Sequence, residues 1–189
     1  MFGDVESTSA ILLRRTRFSD SSLIVTWLTA DFGKLKTVAK GALRPKSAFA
    51  GVLDLFFECE LAFVRSGRSE IHTLREVALR HPFEGLRKDY GRVELAAYFV
   101  ELLELMTEPE HPVPELYDLL RRALSYLEGN APSRKELMHF ENELARLLGI
   151  QSEGSAVVAL ARAVPRLPEC RRALVAKLPT AFPSGFTSA

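Results

Sequence analysis

Eight cationic side chains crowd between Arg14 and Lys46: Arg14, Arg15, Arg17, Lys34, Lys36, Lys40, Arg44 and Lys46, against only Asp20 and Asp31. The stretch carries a local charge of +6 in a chain whose net charge is +1. Clustered cations do not make or break bonds by themselves; they build an anion-attracting field, and clustering governs it more than net charge does. The densest part, Gly33 to Gly51 (GKLKTVAKGALRPKSAFAG), is the candidate site. Phe49 and Trp27 are available as stacking faces, and cations along a backbone with aromatics under the bases compose a single-strand groove. A strand tryptophan is nevertheless more often core than platform. Edge lysines that merely keep a protein soluble would explain scattered cations better than a cluster.

Other chemistries lack their residues. The glycines and lysines from Gly33 to Gly41 do not have the spacing of a phosphate-binding loop, and neither G-x-G-x-x-G nor G-x-S-x-G occurs. Carboxylate pairs such as Glu58 with Glu60, or Glu141 with Glu143, read as solvated faces. Cys59 and Cys170 stand far apart, and His72, His81, His111 and His139 are scattered, so no metal, no cofactor and no enzymatic activity are expected. An acidic start, MFGDVESTSA, argues against an export signal, and no apolar run is long enough to span a bilayer, which places the protein in the cytoplasm.

The elements that must position the cations are strands. Ala10 to Arg15, Leu23 to Leu28, Lys34 to Lys40, Leu53 to Val64 and Ile71 to Leu79 are short apolar or alternating runs separated by turn formers. In the third, Lys34, Lys36 and Lys40 share one face while Leu35 and Ala39 share the other. In the fourth, Leu55, Phe57, Cys59, Leu61 and Phe63 define a core face. Pro45, between Arg44 and Lys46, marks an exposed loop. Five strands in so short a span suggest a closed barrel of the OB type, although the count also permits an SH3-like one.

From Pro82 the hydrophobic period changes to that of helices. Leu86, Tyr90, Val93, Ala97, Val100, Leu103 and Met106 predict one long helix, and Pro114 opens a second, ended by Gly129. Ser133 and Glu136 form a capping box for a third, which stops at Gly149; weaker helices follow near Ser155 to Ala163 and Leu167 to Lys177. The expected organisation is thus α+β: a barrel over 1–81, an all-α domain over 82–178, and a flexible tail over 179–189. Charge divides likewise, with +3 over residues 1–80 and −5 from Glu84 to Glu128, so a polyanion should prefer the barrel and avoid that part of the bundle.

The strings AILLRRTRFSDSSLIVTWLT, FGKLKTVAKGALRPKSAFAGVLDLF, RSGRSEIHTLREV, LRKDYGRVELAAYFVELL and FENELARLLGI occur in an order that resembles the RecO recombination mediators of bacterial DNA repair. The resemblance runs from about Ala10 to Gly149. It implies an N-terminal OB-fold and a helical domain without intrinsic catalysis, in a cytoplasmic, nucleoid-associated protein. It also implies binding of single- and double-stranded DNA, strand annealing, contact with the C-terminal tail of single-strand-binding protein, and, with RecR, help in loading RecA. On this chain the DNA-facing positions would be Lys34, Lys36, Lys40, Arg44 and Lys46, with Arg14, Arg17, Arg65 and Arg68 peripheral; Arg14 or Arg15 should instead brace the barrel. Two departures accompany it. Cys170 stands alone where many members begin a four-cysteine zinc site, and the chain ends before the helices that would complete the usual C-terminal domain. Arg162, Arg166, Arg171 and Arg172 are the cations available to an acidic tail. A protein-binding or RNA-binding module is the competing expectation.

Overall fold

The computed structural model describes residues 4–150 and 154–180. Five strands, β1 (Val5–Arg17), β2 (Leu23–Thr29), β3 (Gly33–Ala39), β4 (Glu58–Val64) and β5 (Ile71–His81), close into a barrel in the order β1-β2-β3-β5-β4. Neighbours are antiparallel except β3 and β5, which run parallel with Lys36 opposite Ile71 and Val38 opposite Thr73. That arrangement is the OB barrel, not the SH3-like alternative. Its interior is filled by Leu12, Val25, Trp27, Leu35, Leu61 and Phe63.

β1 is buried on both faces over Ala10 to Leu13. Ala10 and Leu12 join the barrel core, whereas Ile11 and Leu13, with Leu28 of β2, join the core of the helical half. The register with β2 shifts between Leu12 and Arg14. This bulge inserts Leu13 and frees Arg14 from the inward parity it would otherwise share with Leu12. The barrel wall therefore serves two cores at once.

β4 starts at Glu58, later than the alternating pattern suggests. Leu55 is exposed, and Phe56, at φ 71°, is buried in the helical core rather than the barrel. The segment bonds to β1 beside the bulge: Phe56 N donates to Leu12 O and Leu12 N to Phe57 O, each at 3.0 Å. The left-handed turn at a phenylalanine breaks the period without a glycine to announce it.

A 3-10 turn (Glu84–Lys88) leads into α1 (Tyr90–Met106), followed by α2 (Pro114–Gly129), α3 (Arg134–Leu147), α4 (Ala156–Ala163) and α5 (Cys170–Lys177). Asp89 caps α1 by accepting from Arg92 N at 3.0 Å. Pro114 sits in the first turn of α2. Ser133 accepts from Lys135 N at 3.1 Å and its hydroxyl donates to Glu136, forming the cap of α3. α1 is the central helix, packed against the barrel, the 3-10 turn, α2 and α5. Its buried side chains, among them Leu95, Tyr98, Phe99 and Leu102, cover more of its circumference than one stripe. The expected stripe is corrected at two places: Tyr90, 74% exposed, and Ala97 both face solvent. No described helix is long and apolar enough to cross a membrane. Residues 181–189 of the expected tail lie outside the described residues.

Candidate nucleic-acid interface

β3 has the expected alternation. Leu35, Thr37 and Ala39 are buried, and Lys36 and Lys40 are exposed on the other parity. Across the outer face, Arg14 of β1, Thr26 of β2 and Lys36 of β3 form one row. The next row is Thr16, Ile24, Val38 and Thr73. Beyond it the β3–β4 loop carries Lys40, Arg44 and Lys46, all exposed. Lys36 and Lys40 are separated by roughly 13 Å at the rise of a strand.

The nine named cations fall into two groups. Lys36, Lys40, Arg44, Lys46 and Arg68 are exposed and have no ion pair among the described residues. The others are engaged inside the molecule. Lys34 donates from Nζ to the backbone carbonyl of Glu104 at 2.6 Å, near the C-terminal end of α1, where carbonyl groups favour a cation. Burial pulls its pKa down, against the opposing pull of the Glu104 charge. Arg14 pairs with the Glu104 carboxylate at 2.7 Å. Arg65 pairs with Glu6 at 2.6 Å and Glu110 at 2.7 Å, and lies over the Phe32 ring at 5.1 Å. The Glu6 hydrogen bond, with the charges of both carboxylates, raises the Arg65 pKa further. Arg17 holds Ser19 O at 3.3 Å and Asp20 at 3.2 Å. Lys34, Arg14 and Arg65 thus brace the barrel against the helical half. The acidic segment predicted to repel a polyanion supplies Glu104 and Glu110 to neutralise them.

Arg14 and Arg15 are both braces, where only one was expected to be: Arg15 donates to Leu53 O at 2.8 Å and pairs with Asp54 at 3.1 Å. A second seam runs along β3, because Pro109 bridges Lys34 and Glu110 N donates to Lys34 O at 2.8 Å. Arg14, Lys34 and Lys36 line a cleft of about 240 Å³ with Glu70, Glu101 and Glu104.

Both proposed ring faces change role. Trp27 is fully buried in the barrel core, where its Nε1 donates to Thr37 Oγ1 at 2.9 Å, so it exposes no face to a base. Phe49 is half-buried and packs against that core, anchoring the basic loop while its N donates to Ser47 Oγ at 3.1 Å. An aromatic that sequence reasoning passed over is exposed instead: Phe18, in the β1–β2 loop. Its signal lay in the TRFSDSS string, an apolar ring in an otherwise polar turn.

The two cysteines differ: Cys59 is buried and Cys170 is exposed. Burial pushes the Cys59 thiol up to about 12, far from a nucleophile's range. Cys170 lies 3.7 Å from a Glu101 carboxylate oxygen, and burial first, then Glu101, raises its pKa. Among the described residues no group of histidines, cysteines and carboxylates is arranged to hold a metal ion.

Comparison with known proteins follows this division of the chain. Residues 1–83 match the family model for the recombination protein O N terminus, and residues 87–160 match the model for its C terminus. This chain belongs to the RecO family. It is 36% identical over 140 residues to a DNA repair protein RecO of Rhodopirellula baltica, covering 74% of this chain and 52% of that one. Its identity to the DNA repair protein RecO of Syntrophus aciditrophicus is 34% over 142 residues, 75% of this chain and 55% of the relative. A RecO of Anaeromyxobacter dehalogenans matches at 30% over 179 residues, 94% of this chain and 65% of its own. The chain thus spans about half the length of the first two relatives. The RecO models meet between β5 and α1, where the barrel gives way to helices.

Proposed function

We propose that this RecO-family chain acts in DNA repair by binding single- and double-stranded DNA without sequence preference, and by annealing complementary strands. One observation carries the reading. In a cluster where many cations are consumed by internal bracing, Lys36, Lys40, Arg44 and Lys46 stay exposed, with no ion pair among the described residues, along one strand and the loop that extends it. Such cations neutralise phosphates and release counterions, which gives affinity independent of sequence. Two strands drawn to one charged surface repel each other less, and that favours pairing between them. No bond-making step is assigned to the protein.

The family assignment extends the proposal to partners: RecR, the tail of single-strand-binding protein and, through them, loading of RecA. For the tail, the bundle offers a pocket of about 410 Å³ between α2 and α3, lined by Phe99, Leu127 and Phe140 with Lys135 and Glu136, and by Arg122, which pairs with Asp118 at 2.7 Å. An acidic tail ending in apolar residues fits that combination. Arg171, offered earlier for this role, is instead bound to Glu141, and Arg166 pairs with Glu169 at 2.8 Å.

The test is fluorescence anisotropy of labelled single-stranded DNA across a salt series. Combining Lys40→Ala, Arg44→Ala and Lys46→Ala should make the log–log slope shallower by about 2, at about 0.7 per phosphate contact on a single strand. Absence of wild-type binding at low salt, or an unchanged slope in the triple variant, would overturn the proposal and return attention to a protein-binding module. Equal or tighter binding of RNA of the same sequence would favour an RNA-binding one.

A further inference from the structure

We propose that Phe18 is a base-stacking platform that makes the loop end of the barrel prefer single strands to duplex. The inference rests on the DNA-binding reading above and adds the form of the ligand. Phe18 follows β1 directly and is 61% exposed, while every other phenylalanine of the described residues is buried or half-buried. It is not a loose side chain on a loose loop. Its N donates to Ser22 O at 3.0 Å, Ser19 N donates to the same oxygen at 3.3 Å, and Arg17 Nε closes onto Ser19 O at 3.3 Å.

The loop is also pinned to the basic one. Leu43 N donates to Ser21 O at 3.0 Å, and Gly41 N to Ser22 Oγ at 3.4 Å. These anchors fall between Lys40 and Arg44, so the ring and the unpaired cations belong to one composite surface. Leu43, 46% exposed, adds a second apolar contact there.

Arg17 beside the ring pairs with Asp20, but Lys40, Arg44 and Lys46 of the adjoining loop have no carboxylate partner among the described residues, and a ring next to such cations suits a ligand that is anionic along its length yet has flat apolar faces. Nucleic acid fits that description, and a neutral or cationic protein surface does not. In a duplex the base faces are already stacked on one another and only phosphates remain for the loop. In a single strand a base is free to lie on Phe18 while its flanking phosphates reach Lys40, Arg44 or Lys46. The cations then supply affinity for both forms, and the ring supplies the difference between them.

The experiment uses the full chain with a labelled single strand, its duplex, and an abasic strand of equal length. Phe18→Ala should weaken single-strand binding roughly tenfold, within the range for a base on an aromatic ring, while duplex and abasic-strand affinities change by less than about twofold. The salt slope on single strands should not move, since the ring carries no charge, and Phe18→Tyr should restore affinity. The proposal is overturned if Phe18→Ala leaves single-strand affinity intact, if it weakens abasic and normal strands alike, or if it alters only the oligomeric state. Failure of the wild type to bind any DNA would refute the underlying reading as well. Wild-type binding with no selective effect of Phe18 would refute this inference alone.

Discussion

The side chain of Lys34 donates to the backbone carbonyl of Glu104 at 2.6 Å, while the carboxylate of that same residue takes Arg14 at 2.7 Å. One glutamate at the end of α1 thus holds cations from two neighbouring regions of the barrel wall. Charge near Lys34 is structural, and charge at Lys36, on the same face of the same strand, remains free.

This difference between two lysines is measurable. Lys36→Met should lower the single-strand salt slope by about 0.7, the share of one phosphate contact, whereas Lys34→Met should leave it unchanged and lower the melting temperature. The pH dependence has a definite sign. Burial holds the Lys34 pKa below 10.5. Between the lowered value and 10.5 the unfolded chain binds more protons, so this residue's contribution to stability is fully present above 10.5 and is lost as pH falls through the folded-state value. Relative to Lys34→Met, the wild type should therefore gain stability as pH is raised through that window, measured by urea unfolding at each pH.

Gly33 is fixed by two constraints at once. Its φ is +67°, and a Cβ there would lie 2.1 Å from the carbonyl oxygen of His111. Backbone, unlike the end of a flexible side chain, cannot step aside cheaply. Gly33→Ala is expected to cost at least about 2 kcal/mol in urea unfolding, from left-handed strain and from opening the seam along β3. By comparison, Gly129→Ala meets nothing within 4 Å and should change stability little.

Glu141, 2% exposed, is enclosed by Tyr98 and by Arg171, whose Nε donates at 2.5 Å and whose second nitrogen donates at 2.9 Å. This polar cluster fastens α5 to α3 and α1. Arg171→Met would strand a buried charge and is expected to destabilise by about 3–5 kcal/mol. Adding Glu141→Gln should recover a large part, because it removes the charge but keeps an acceptor for the Tyr98 hydroxyl. Urea unfolding of the two single variants and the double variant checks the coupling.

Much of the fold could be read from periodicity because the elements are amphipathic. The β3 alternation, the leucines of α2 and the Ser133–Glu136 cap depend on local spacing alone. What escaped reading depends on who passes by in three dimensions. Lys34 and Lys36 have the same parity, and what distinguishes them is the end of α1 and the segment after it, which bring the Glu104 carbonyl, Pro109 and Glu110 to Lys34. Tyr90 and Ala97 lie on the expected helical stripe, but the centre of the bundle surrounds other faces of α1. Trp27 and Phe18 show the same limit for the site. A strand residue's side in a barrel depends on closure, and a loop ring's exposure depends on what the neighbouring loop leaves uncovered.

The double-sided burial of β1 also has a mechanical consequence. Ile11 and Leu13 complete the helical core from within the barrel wall, so no slack joint separates the strands from the bundle near residue 82. Rocking one half against the other would pull these side chains out of a packed interior and expose them to water. The molecule should therefore transmit force as a stiff lever: whatever grips the bundle also sets the angle at which the basic loop meets its ligand.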